Sequence, residues 1–230
     1  KKGSYEGKVY AVSGEKMQSI PIKLEVDGEK VSHHGFNEGN RLSRMAWLNS
    51  TIGLDKEITK GFEEVVREEN RIRILGRTIT IAPTGLPSEI TSFFEPSNQF
   101  LVPHGEAVTS RAFQFVVEKE NTEILQLQPG NLEFTDQSPS HLSWQVTNYC
   151  DECELTCSGR MEYDGYMDYK LTLRSKEAFR VKDIRLEIPV NKDQARYMMG
   201  LNHEGGLRSS HWEWKWDTTR NQDMLWLGNV

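Results

Sequence analysis

The chain is 230 residues long and carries 34 acidic and 28 basic side chains, a net charge of −6 spread along its length. There is no basic block to argue for nucleic-acid binding, and no apolar run approaches the roughly 20 residues a membrane-spanning helix needs. The length suits one large β domain or two small ones.

From the start, Lys8–Val12 reads as a short strand. Ile20, Ile22, Leu24 and Val26 then alternate with polar residues up to Asp27–Gly28, a hairpin-turn signal. His33 and His34 point opposite ways on an extended chain and are surface residues in a loop. Residues 37–53 hold no single period, so a short helical turn or an irregular loop is expected there. Residues 56–70 are charged around Phe62, Val65 and Val66, a solvated connector with a weak strand at its centre.

Alternation returns at Arg71. Ile72 with Ile74, and Ile79 with Ile81, predict two strands; Thr84–Gly85–Leu86–Pro87 predicts a turn. Ile90, Phe93 and Phe94 form the next apolar piece, and residues 95–110, with Pro96 and Pro103, a loop. Further strands are expected at Phe113–Val117, Ile124–Leu127, Leu132–Phe134 and Leu142–Val146.

The clearest alternation lies later. Met167, Tyr169, Leu171 and Leu173 interleave with charged or polar residues. After a polar turn at Ser175–Lys176–Glu177, Ile184, Leu186, Ile188 and Val190 do the same, so the two runs read as a hairpin. Side chains two apart on a strand share a face, so each run has one face for a core and one for water. A two-residue turn at Asp164–Gly165 would place Cys153, Leu155 and Cys157 on the face opposite Leu171 and Leu173. Either a bulge shifts that register or both faces are covered.

At least a dozen strand candidates and no long helix predict an all-β fold, a large antiparallel β-sandwich of supersandwich type. Residues 1–36 supply N-terminal strands, as a separate piece or as part of the same sandwich, and residues 37–230 the main sandwich. The chain stops at Leu225–Val230 in what reads as mid-strand, which predicts a longer protein. No signal peptide is legible at its start.

Three features bear on chemistry. Cys150, Cys153 and Cys157 with His141 make a poor metal site, because thiolate sites draw four ligands from C-x-x-C pairs. Cys153 and Cys157 on one strand lie ~13 Å apart, too far to bridge, and an odd count leaves one thiol unpaired. Core or edge thiols are expected, with no metal and no cofactor. Trp212, Trp214 and Trp216 share one face of an expected strand, either stacking on sugar rings or filling a core. Glu162, Asp164, Asp168 and Glu187 are the carboxylates nearest one another in the patterned hairpin, and a pair including Glu162 or Asp164 is the candidate acid and base of a glycosidase, with solvent-face charges as the plainer alternative.

Arg41–Gly53, Leu75–Arg77 with Gly85–Pro87, Gly159–Gly165, Asp183–Pro189, Ala195–Gly200 and Trp214–Asp217 together resemble large bacterial glycoside-hydrolase-like proteins related to glycoside hydrolase family 123, over about residues 40–230. The resemblance implies an N-terminal β-sandwich region followed by a separate catalytic barrel. It transfers no catalytic residue onto this chain. The expected function is a non-catalytic module of a secreted or periplasmic polysaccharide-degrading enzyme. Its partners would be carbohydrate and the downstream catalytic domain. The alternatives are a glycosidase using Glu162 or Asp164, and a purely structural packing module.

Overall fold

The computed structural model describes residues 2–30, 56–215, 219 and 224–229. The expectations for His33, His34, residues 37–53 and Trp216 lie outside them. Two compact units are present, Lys1–Leu54 and Asp55–Val230. The described residues form sixteen strands and one short 3-10 turn at Lys192–Gln194, with no α-helix among them.

The first unit contains one hairpin, β1 (Gly3–Ser13) against β2 (Lys16–Val26). The chain reverses at Gly14–Glu15, where Gly14 supplies a φ of +60°, as the first central position of a two-residue hairpin turn demands. Asp27–Gly28, the turn expected from sequence, instead follows the end of β2. Tyr5, Val9, Ile20, Ile22 and Leu24 share one face of the hairpin and are exposed.

The second unit has two layers. One is the meander β3 (Val66–Glu68), β4 (Arg71–Ile74), β5 (Arg77–Ile81), β6 (Pro87–Phe94) and β7 (Leu101–Ala107). β8 (Gln114–Lys119) and β14 (Val181–Glu187) form a separate pair tied to that meander. Phe113 N–H donates to the Pro87 carbonyl, and Asn191 N–H to the Val108 carbonyl. The other layer is β10 (Glu133–Ser138), β11 (His141–Tyr149), β12 (Cys153–Glu162) and β13 (Met167–Ser175), with β9 (Gln128–Pro129) on the far end of β11. β15 (Tyr197–Gly200) pairs with β16 (Leu225–Gly228). The architecture is the antiparallel sandwich that the alternation predicts.

Three buried clusters run between the layers. The largest joins Ile72, Ile74, Ile79 and Ile81 to Leu142, Trp144 and Met161. The next holds Leu86, Val146 and Cys157; the third holds Val117, Leu125 and Cys153. β12 and β13 pair Met161 with Met167 and Cys157 with Leu171, so the cysteine strand and the leucine strand share the inner face. The register question is thereby answered by the turn. Gly165 N–H donates to the Glu162 carbonyl and Glu162 N–H to the Tyr166 carbonyl, with Gly165 at φ +94°. This is a three-residue loop with a left-handed closing residue, one residue longer than the turn expected.

Several expectations are corrected. β14 pairs with β8, far away in sequence, and does not form a hairpin with β13. As an edge strand it leaves Ile184 and Leu186 exposed, and Ile188 just past its end is exposed too. Residues 101–107, expected as loop, form edge strand β7, where Pro103 is tolerated. Ile124–Leu127 is no strand, although Leu125 is buried from its loop. Residues 211–215 carry no strand either, so the tryptophan row does not lie on one among the described residues.

Trp144 is the centre of the packing. Its indole lies over Gly159, where a Cβ would sit 2.3 Å from Cε2. It meets Tyr169 edge-on at 5.8 Å, and its Nε1–H donates to the Gly85 carbonyl at 2.8 Å. Gly159→Ala is expected to destabilise the domain by about 1–3 kcal/mol through overpacking, and Trp144→Ala by about 3–5 kcal/mol through the cavity it leaves. Urea unfolding measures both, and a wild-type midpoint for Gly159→Ala would contradict this packing.

Candidate functional site

The strap Ala82–Leu86 closes on itself through Ala82 N–H to the Leu86 carbonyl and Gly85 N–H to the Ala82 carbonyl. β11 holds it twice, by Trp144 on the Gly85 carbonyl and by Asn148 Nδ2 on the Thr84 carbonyl at 3.1 Å. Beside it opens a cleft of about 470 Å³. Its floor is apolar, formed by Leu86, Phe113, Phe115, Leu125 and Leu155. Its polar groups are Asn148, Gln114, Gln126, Arg185 and Glu187.

Asn148 is the unusual member. It is 1% exposed. Its Nδ2 also donates to the Leu155 carbonyl at 3.3 Å, while its Oδ1 is buried without a hydrogen-bond partner. Leaving a buried acceptor unmet costs about 1–3 kcal/mol, a cost Asn148 bears while its amide nitrogen fastens the strap and β12. The sequence does carry a signal for it. Asn148 falls on the parity of Leu142, Trp144 and Val146, a polar residue at a core position.

An ion-pair lattice stands at the rim. Arg185 Nε donates to Glu187 Oε1 at 2.9 Å, and its Nη1 reaches Glu118 Oε2 at 3.1 Å and Asp183 Oδ2 at 2.9 Å. Arg111 Nη2 reaches Glu187 Oε2 at 2.7 Å. Hydrogen bonds from Arg111 and then Arg185 hold the Glu187 carboxyl below its ordinary value; Lys182 and then Arg185 do the same to Glu118. Both are anionic acceptors.

The two carboxylates expected as a catalytic pair have local tasks. Glu162, the last residue of β12, accepts Arg160 Nε at 3.1 Å. Asp164 Oδ1 accepts the Tyr166 N–H at 2.9 Å within the loop. Neither lines the cleft. Trp212 is exposed. It meets His203 edge-on at 5.0 Å and donates Nε1–H to the Leu201 carbonyl at 3.1 Å. Trp214 is half-buried.

His141 stands apart from the cysteines, at the opposite end of β11 from Cys150. Nine residues of extended chain put about 30 Å between them, beyond any shared metal. Its ring is 2% exposed, with Nε2 on Asp136 Oδ2 at 2.8 Å and Nδ1 on Ser138 Oγ at 2.8 Å and Ser140 Oγ at 3.2 Å. The sequence reading missed this Asp–His–Ser cluster. Ser138 Oγ also accepts the His141 backbone N–H at 3.2 Å, so the cluster braces the β10–β11 turn. No grouping of three or more His, Cys, Asp or Glu suited to a metal occurs among the described residues.

The second unit is therefore a two-layer antiparallel β-sandwich domain with an amphipathic cleft on one flank. Residues 65–230 match the family described as Glycoside hydrolase 123, third domain, and the chain belongs to that family as a glycoside-hydrolase-associated domain. No curated protein and no solved structure matches it. No helix among the described residues is long and apolar enough to cross a membrane.

The lowered carboxyls make stability pH-dependent. Glu118 gives up its proton more readily folded than unfolded. Its contribution is present above the unfolded-state pKa of about 4.3 and is lost as pH falls through the lower folded value. The stability gap between wild type and Glu118→Gln should be largest near neutrality and shrink below about pH 4. Equal gaps at pH 7 and pH 3 in thermal unfolding would contradict this.

Proposed function

We propose that the domain is a non-catalytic accessory module of a secreted or periplasmic polysaccharide-degrading glycoside hydrolase. It supports a catalytic domain elsewhere in the same protein and holds a glycan segment in the cleft beside the Ala82–Leu86 strap. The observation that carries the reading is the cleft's make-up, an apolar floor of Leu86, Phe113 and Phe115 with amide, guanidinium and carboxylate groups around it. A sugar ring has apolar C–H patches and a rim of hydroxyls, and takes both kinds of partner. The family membership supplies the carbohydrate context.

The tryptophan row favours the packing alternative at one point. The Trp212 ring already packs edge-on against His203 and its indole N–H is spent on Leu201. Trp212 therefore serves this reading less well than the cleft does.

Gln114 and Gln126 are exposed on the cleft, so their loss leaves the core untouched. On a glycan array followed by calorimetry, Gln114→Ala with Gln126→Ala should weaken binding about tenfold, the value of one or two neutral hydrogen bonds. Trp212→Ala should bind as wild type. The reverse pattern would move the site to the tryptophans, and no binding to any glycan would leave a packing module. Turnover of aryl glycosides by the chain, abolished in Glu162→Gln, would overturn the non-catalytic reading.

A further inference from the structure

Cys150 and Cys153 flank the two-residue loop Asp151–Glu152 that joins β11 to β12. Cys150 N–H donates to the Cys153 carbonyl at 2.9 Å, so the two residues face each other across a tight turn. Such a turn brings its outer Cα atoms within about 7 Å, and a disulfide takes a Cα separation of about 4.4–6.8 Å. The return bond of the pair is diverted. Cys153 N–H donates to Cys150 Sγ at 3.0 Å, and the Cys150 carbonyl accepts Lys176 Nζ at 2.7 Å. That diversion turns the Cys150 side chain inward over the loop. The two sulphurs are 2.7 Å apart with both thiols free, closer than non-bonded sulphurs normally approach.

The turn is also held from outside. Lys176 N–H donates to the Glu152 carbonyl at 2.8 Å, and Lys119 Nζ pairs with Glu152 Oε1 at 2.7 Å. The third cysteine is elsewhere. Cys157 is fully buried beneath Gly85, in a different cluster from Cys153.

We propose that Cys150 and Cys153 form an intramolecular disulfide that clamps the β11–β12 turn, made by exchange with a small-molecule or protein disulfide, and that Cys157 remains a thiol. Cys150 is half-buried and Cys153 fully buried, so Cys150 makes the first attack. Burial pushes the Cys153 thiol up to about 12 and Cys157 to about 11, which keeps both poor opening nucleophiles. The Cys150 thiolate attacks one sulphur of the donor disulfide and expels the first donor thiol. The Cys153 sulphur then attacks Cys150 Sγ and expels the second. Two cysteine protons end on the two released thiols, and two electrons reduce the donor disulfide. This inference stands apart from the glycan reading, since it concerns the turn and not the cleft.

The whole chain is incubated in a glutathione buffer of mostly oxidised form. It is then denatured, alkylated and mapped by mass spectrometry, with a reduced sample beside it. The expected result is a loss of 2 Da, one alkylated thiol at Cys157, and a Cys150–Cys153 link within one proteolytic peptide. The same 2 Da loss is expected in Cys157→Ser, and none in Cys150→Ser. Three alkylated thiols after oxidation, a link through Cys157, or a disulfide between two chains would each overturn the proposal. Peptide mapping of the wild type separates these outcomes even where a variant does not fold.

Discussion

One indole sets the terms for the sandwich. Trp144 needs the bare backbone of Gly159 beside it on β12, the ring of Tyr169 on β13, and the carbonyl of Gly85 on the opposite layer's strap. A buried indole with an unmet N–H would lose much of what its area contributes. The Gly85 bond removes that penalty while tying the two layers. Gly85 is held to glycine in turn. It sits at φ +86°, and a Cβ there would lie 2.6 Å from Val146. Two glycines separated by more than seventy residues are thus constrained by one side chain, directly in one case and through its neighbour on β11 in the other.

The layers differ in how they are finished. β11 and β12 are flanked on both sides and alternate buried with more exposed positions along almost their whole length. β14 and β7 are edges, and there the alternation loses its meaning. Ile184 and Leu186 stay exposed although they lie opposite Val117 and Phe115, while the charged face of β14 builds the Arg185 lattice at the cleft rim. The strand that looks most like core from its pattern is in fact the one that contributes its polar side to a candidate site.

That contrast explains how far the sequence could be read. Alternation reports that a segment is a strand with two unlike faces, and it located β4, β5, β11, β12 and β13. It does not report which strand is the neighbour, so the β8–β14 pairing, with residues 120–180 between the two strands, was not legible, nor was the one-residue difference in the Glu162–Tyr166 loop. β7 escaped because an edge strand with Pro103, His104 and Gly105 has no apolar face to display. The cleft was partly legible through Asn148 on an apolar parity. Its other walls come from five separate segments that only folding brings together. The C-x-x-C spacing of Cys150 and Cys153 was visible, but that it forms a turn and not a straight strand was not.

The strap between Ala82 and Leu86 has a consequence for any occupant of the neighbouring cleft. With Gly85 fastened by Trp144 and Thr84 by Asn148, that wall cannot loosen without disturbing the deepest packing in the domain. A guest therefore meets a floor whose conformational entropy was already surrendered when the chain folded. The ordering cost of binding falls instead on the exposed side chains of Gln114, Ile124 and Gln126 opposite. Discrimination between guests would then arise at the rim, with the floor acting as a fixed template.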